Sequence, residues 1–362
     1  MAVKVHVVGC ASRRSIDRAV ARLDIGNRYV HAAVRAIAAS SPLPLPPPST
    51  ALWVERAVQH GVLSMLAVHM EPSSAETFVR AIRRRVAGEY LRTMADMRFV
   101  HRLFAEAGID WLVFKGPVLS DVIYERPRSR DYSDLDVLVR PDEIERAVEV
   151  LTRNGAQNPP SEHPSTMYRL GRGELSLLLH NGTLLDLHWD VINKAELRAR
   201  FSMSADHLFA ESREIQLDGL TVRTFGEIDT ILHLALHGCF SGADKLRYLL
   251  DLQQALKRST PSASSLLGRA ESFGLELMLR LMVNRMTAFV DGVIPLRLPR
   301  PSVAANSWLA ADHFAISRFP PGSRFEGRLS AGTLSLSTRE SPSASWHSFT
   351  KRAPIAARGR HG

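Results

Sequence analysis

Apolar residues recur at three- and four-residue spacing over residues 51–70 and 74–107, as in Phe78, Ile82, Val86, Tyr90, Met94, Met97 and Val100. That period predicts two amphipathic helices, the second stopped by Gly108. The period then changes. Residues 111–114 and 135–139 are short apolar runs bounded by Gly, Pro or charge, which predict buried strands. Between them residues 118–124 suit a short helix, and Pro141-Asp142-Glu143 opens another that runs through Ile144, Ala147, Val148 and Leu151 to a stop at Asn154-Gly155. Runs over 174–180 and 183–191 flank Asn181-Gly182, a strong hairpin signal. Helical spacing returns over 227–257 and 266–290. The prolines of 40–50 enforce extended backbone and set off an N-terminal arm.

This order predicts an α+β protein: an arm and Pro-rich linker (1–50), a helical module (51–108), a core with a small mixed sheet (109–224), a second helical module (225–293) and a tail (294–362). From about residue 295 proline and then serine accumulate without periodicity, so the tail is expected to be disordered, and a cut after Arg318 to leave stability nearly unchanged.

Charge changes the picture little. Of the net +9, seven arginines and one lysine against Glu326 and Glu340 place +6 from Arg318 onward. The rest is nearly balanced, so the basic excess belongs to a solvated tail and no nucleic-acid partner is expected. No apolar run approaches the ~18 residues of a bilayer span. Cys10 and Cys239 are too few for a disulfide framework, and a reducing cytoplasm is the expected setting.

The candidate chemistry lies in Ser133-Asp134-Leu135-Asp136-Val137-Leu138-Val139. Side chains on a strand alternate, so Asp134 and Asp136 share one face while Leu135 and Val137 enter the core. Two like charges so placed call for a cation, and magnesium is the hard ion that takes carboxylate and phosphate oxygens. A third acid, Asp186, falls on a hairpin strand able to pair alongside. Upstream, Lys115-Gly116-Pro117 stands where a strand gives way to a helix, a place where phosphate oxygens can approach backbone N–H groups.

These residues resemble the DNA polymerase beta-like nucleotidyltransferase superfamily. Phe114-Lys115-Gly116-Pro117, Arg130, Asp134 to Val139 and Leu185-Asp186-Leu187-His188-Trp189 are more narrowly similar to its uncharacterised bacterial nucleotidyltransferases, NTP-transferase family five. Flanking segments, including His237-Gly238 and Tyr248-Leu249-Leu250-Asp251, extend the likeness over about residues 50–290. The resemblance implies in-line transfer of a nucleoside monophosphate from a triphosphate, with ATP the expected donor, to a hydroxyl of a small molecule, sugar or protein. It implies two magnesium ions on Asp134, Asp136 and Asp186, with Lys115, Gly116, Arg130 and Ser133 on the nucleotide. The wider superfamily has Gly-Ser or Gly-Gly at the turn. Here Pro117 follows Gly116 and Asp134 lies 18 residues on, so Lys115 or Arg130 has to supply the missing donor group.

Two other readings stay open from the residues: a catalytically silent, antitoxin-like partner-binding protein on this fold, and a metal-dependent phosphohydrolase using the same acids with water. His233 and His237 are four apart on a helix, but no His-Glu-x-x-His acid accompanies them, and packing or hydrogen bonding is expected rather than zinc. His188 and Asp190 share the face of Asp186, Trp189 faces the core, and Asp131 is expected to be exposed.

Overall fold

The computed structural model describes residues 13–71, 76–158, 173–193, 195–198, 200–290 and 296–323. The chain opens with α1 (Arg13–Ala21) and α2 (Ile25–Ala38), and after the Pro-rich linker come α3 (Thr50–Gln59), α4 (Leu63–His69) and the long α5 (Glu76–Ala107). The single helix expected over 51–70 is two, because the backbone turns at Gly61 with φ +65°. Strand β1 (Trp111–Val113) leads into the single turn α6 (Gly116–Val118) and a π-turn, Leu119–Ile123. Then follow β2 (Asp134–Val139), α7 (Ile144–Arg153), β3 (Glu174–Leu178) and β4 (Leu184–His188).

The four strands form one sheet in the order β1-β2-β4-β3, with β2 and β4 parallel and the outer pairs antiparallel. Alternation divides its two faces. Val113, Leu135, Val137, Leu175, Leu177, Leu185 and Leu187 lie on one face, packed in a common core with Met94, Met97 and Phe104 of α5 and Ala147 and Leu151 of α7. Each such Leu or Val stabilises the fold by about 1.5–3 kcal/mol. The opposite face carries Glu174, Ser176, Asp134, Asp136, Asp186 and His188. Buried Asp96 of α5 secures the β3–β4 turn, accepting from the Asn181 N–H at 3.3 Å, Asn181 Nδ2 at 2.8 Å and the Thr183 N–H at 3.3 Å.

After α8 (Ala195–Arg198) and α9 (Ala205–Ala210) comes a hairpin that apolar periodicity does not predict, β5 (Arg213–Leu217) and β6 (Leu220–Thr224), joined by Asp218-Gly219. The C-terminal helices are α10 (Glu227–Phe240), α11 (Leu246–Ser259), α12 (Ala263–Ser272), α13 (Glu276–Phe289) and α14 (Val303–Arg318). The periods expected over 227–257 and 266–290 are therefore each divided by a short loop.

Both ends depart from the sequence expectation. The N-terminal arm is part of the helical core: Val30, Val34 and Ile37 are buried, Arg35 Nε donates to the Phe289 carbonyl at 3.1 Å and Gln253 Nε2 donates to that of Ala38 at 3.3 Å. Within the expected disordered tail, α14 buries Leu309, Asp312 and Ile316. Asp312 binds Arg285 of α13 at 2.6 Å, both side chains almost wholly buried, and Arg285 Nη1 also donates to the Gly242 carbonyl at 3.0 Å. Residues 319–323 continue the contact, the Pro321 carbonyl lying 2.8 Å from buried His31 Nε2. One buried salt bridge and a few apolar side chains in a Ser- and Pro-rich context leave too weak a period to read. Residues 324–362 lie outside the described residues. Among the described residues no helix is long and apolar enough to cross a membrane.

Candidate active site

The paired acids stand at the start of β2, on the sheet face turned toward α10. The parallel register sets Asp136 directly beside Asp186 of β4, and antiparallel β3 sets Ser176 beside Asp186 in turn. The three sequence-predicted acids thus converge. They line a cavity of about 280 Å³ with Lys115, Glu174, His188, His233 and His237.

Asp136 is the most enclosed of the acids, at 2% exposure. Lys115 Nζ donates to its Oδ1 at 2.6 Å, and His188 Nε2 lies 3.2 Å from the same oxygen. Burial alone would raise this carboxyl, but Lys115 and the His188 hydrogen bond hold it well below the usual carboxylate range. Its Oδ2 is buried with no hydrogen-bond partner among the described residues. Asp134 is raised by burial and by Asp136, against the fields of Lys115, Arg130 and Arg247. Burial raises Asp186, the Ser176 hydroxyl donating at 2.6 Å lowers it, and Asp136, Asp134 and Glu174 leave it pushed up to about 6. Four carboxylates face one lysine.

That imbalance, together with the orphaned Asp136 oxygen, fits a divalent cation bound through hard oxygens. Among the described residues no three His, Cys, Asp or Glu side chains form a ready-made cage. Magnesium does not require one, because it keeps waters and phosphate oxygens in its shell.

The remaining sequence candidates are distributed differently. Gly116 has φ +47°, and a Cβ there would lie 3.1 Å from the Asp134 carbonyl, so the glycine lets its turn lie against the backbone of β2. Ser133 is exposed, just ahead of β2. Arg130, expected on the triphosphate, is instead buried against Asp251 of α11, its Nε 3.0 Å from both carboxylate oxygens. Tyr124 Oη donates to the same Asp251 at 2.6 Å. A guanidinium at 6% exposure has to be paired where it is, which commits it to the core. Asp131 is half-buried rather than exposed, 3.4 Å from Arg85. Asp190 turns from the cavity to the Ile192 N–H at 2.7 Å and Arg198 at 3.3 Å. Trp189 packs against the sheet's apolar core.

His233 and His237 stack with ring centroids 6.1 Å apart, and His233 meets Phe114 edge to face at 5.1 Å. Burial, with the Lys115 charge adding to it, holds His233 well below the ordinary imidazole value and His237 down at about 3. Both rings therefore stand neutral at the cavity wall. Glu174 escaped the sequence reading: it lies 3.4 Å from His188 Nδ1, so His188 bridges it to Asp136. The signal was there in period two, since Glu174 and Ser176 alternate with Leu175 and Leu177.

Residues 51–291 match the family described as uncharacterised nucleotidyltransferase. The chain belongs to this family. As a nucleotidyltransferase it carries the small mixed sheet and acid-bearing strand that the sequence predicts. Solved structures similar to this nucleotidyltransferase include the lincomycin-bound lincosamide antibiotic adenylyltransferase LnuA, at 12% identity and TM-score 0.31, with 46% of this chain and 97% of that one covered. The antibiotic-resistance factor ANT(2'')-Ia is similar at 12% identity and TM-score 0.34, covering 56% and 95%. An antigenic nucleotidyltransferase-like protein from Paracoccidioides brasiliensis is similar at 14% identity and TM-score 0.39, covering 56% and 94%. Comparison with curated proteins gave no match.

Proposed function

We propose that this nucleotidyltransferase is magnesium-dependent and moves a nucleoside monophosphate, AMP from ATP, to a hydroxyl of a small-molecule, sugar or protein acceptor in the cytoplasm. The observation that carries the reading is the register of β2 and β4, which gathers Asp134, Asp136 and Asp186 around one cavity. Asp134, Asp136 and Asp186 would hold the ions, which neutralise charge developing on the phosphates.

The chain's own residues do the rest. Lys115 and His188 fix Asp136 by one oxygen and leave the other open. Ser176 holds Asp186 by Oδ1, where it would either bind the ion nearer the attacking oxygen or accept the acceptor's proton. Closely spaced fixed charges lower the barrier mainly through positioning and electrostatics.

Calorimetry with a panel of nucleoside triphosphates, with and without magnesium, tests the reading. The expected result is magnesium-dependent binding, strongest for ATP, that disappears in Asp134→Asn/Asp136→Asn. Transfer releases pyrophosphate and labels an acceptor, whereas inorganic phosphate without a labelled product would establish hydrolysis instead. A folded, unaltered protein that binds no triphosphate would sink the proposal.

A further inference from the structure

The cations expected to hold a triphosphate are committed elsewhere, Lys115 to Asp136 and Arg130 to Asp251. The cavity between the acids, about 280 Å³, lies at the lower edge of the roughly 300–1,000 Å³ usual for ligand pockets. A nucleoside triphosphate therefore projects beyond it and needs positive charge at its rim. Arg247, in the first turn of α11, lies one ring back from the cavity wall: its guanidinium is 5.5 Å from the Tyr248 ring centroid, and that ring meets cavity-lining His237 at 5.4 Å. Its field reaches Asp134, His237 and Tyr124. Among the described residues no carboxylate pairs with it, and its Nε is buried without a hydrogen-bond partner. Nε is closed over by the Gly61 turn, so an anion would meet the guanidinium at its outer nitrogens, whose charge no carboxylate offsets among the described residues.

Its place is set by the N-terminal helical module. The Arg247 N–H donates to the His60 carbonyl at 3.3 Å, and the guanidinium lies 5.5 Å from the Tyr248 ring centroid. At Gly61 an added Cβ would fall 3.2 Å from Arg247 Nε and 3.4 Å from Cζ. A side chain at Gly61 would crowd the guanidinium by a few tenths of an ångström, so the α3–α4 turn forms a close seat for it.

We propose that Arg247, seated on the Gly61 turn, binds the pyrophosphate portion of the donor nucleotide. The proposal rests on the transferase reading above and names the group that grips the donor's leaving end. A guanidinium–phosphate contact is a charged hydrogen bond, so its loss should weaken binding about ten-fold or more.

The test uses the full chain, with inorganic pyrophosphate plus magnesium and AMP plus magnesium as separate calorimetric probes and thermal melting as the check of folding. Arg247→Ala should weaken pyrophosphate about ten-fold or more and leave AMP within about two-fold. Gly61→Ala, which crowds the guanidinium without removing it, should weaken pyrophosphate in the same direction, and Arg247→Gln, which keeps the side-chain stem and removes the charge, decides the matter if Arg247→Ala does not fold. Unchanged pyrophosphate affinity, or an equal loss for both probes, would overturn the role of Arg247. If the unaltered protein binds neither pyrophosphate nor any triphosphate, the transferase reading falls first.

Discussion

Asp312→Asn removes one charge from the middle of α14 while keeping the shape of the side chain. In the native protein Arg285 donates to Asp312 at 3.0, 3.2 and 2.6 Å, with side-chain exposures of 2% and 0%. Breaking a buried pair from one side leaves an uncompensated cation in the core and costs about 3–5 kcal/mol. At roughly 2–4 °C per kcal/mol for chains of 150–250 residues, and somewhat less for a longer one, the melting temperature should fall by about 5–10 °C. The assay is thermal unfolding followed by circular dichroism at pH 7.5. The paired replacement Arg285→Met/Asp312→Leu should restore most of the loss, because it removes both charges together. A fall of less than about 1 °C for Asp312→Asn would show that residues 303–318 behave as the solvated tail their composition suggests, and would refute the docking of α14.

Three further outcomes follow from the same geometry. Asp186 has a folded pKa of about 6, above the unfolded value of about 3.9, so its contribution favours the fold at low pH and is lost as pH rises through about 6. In chelator, Asp186→Asn should therefore melt higher than the unaltered protein at pH 7.5, and the difference should shrink toward pH 4. Gly116→Ala forces a left-handed residue into close contact with β2, so it should cost about 1–2 kcal/mol or more and slow transfer by displacing Asp134, read by melting and by initial rates. Truncation after Arg318 removes the carbonyl partner of His31 and should cost about 1–3 kcal/mol relative to truncation after Ser323, as measured in denaturant.

The sheet and its acids were legible because period two is local: once Asp134 and Asp136 sit on a strand, they share a face. Asp186 was legible through the Asn181-Gly182 turn, although only the parallel register makes it the immediate neighbour of Asp136. Arg130 was misplaced because a sequence shows a guanidinium's charge but not its burial, and the partner that claims it, Asp251, lies 121 residues away. Arg247 went unread for the same reason, since its seat at Gly61 belongs to a distant turn. Helix breaks at Gly61 and over 241–245 were hidden by apolar spacing that continues across them. The β5–β6 hairpin was signalled by Asp218-Gly219 but is too short for its alternation to stand out.

The family match stops at residue 291, and every acid of the site lies inside it. The molecule does not come apart there. Arg285 joins the carbonyls of the loop between α10 and α11 to a carboxylate beyond the match, while Arg35 and Gln253 tie α2 to the same helical body from the other end. A fragment cut at the family's limits would keep every acid of the candidate site and strip two walls from the building that houses them. For this chain the segment that bears the candidate site is shorter than the body it packs into, so moving that segment alone would leave its supports behind.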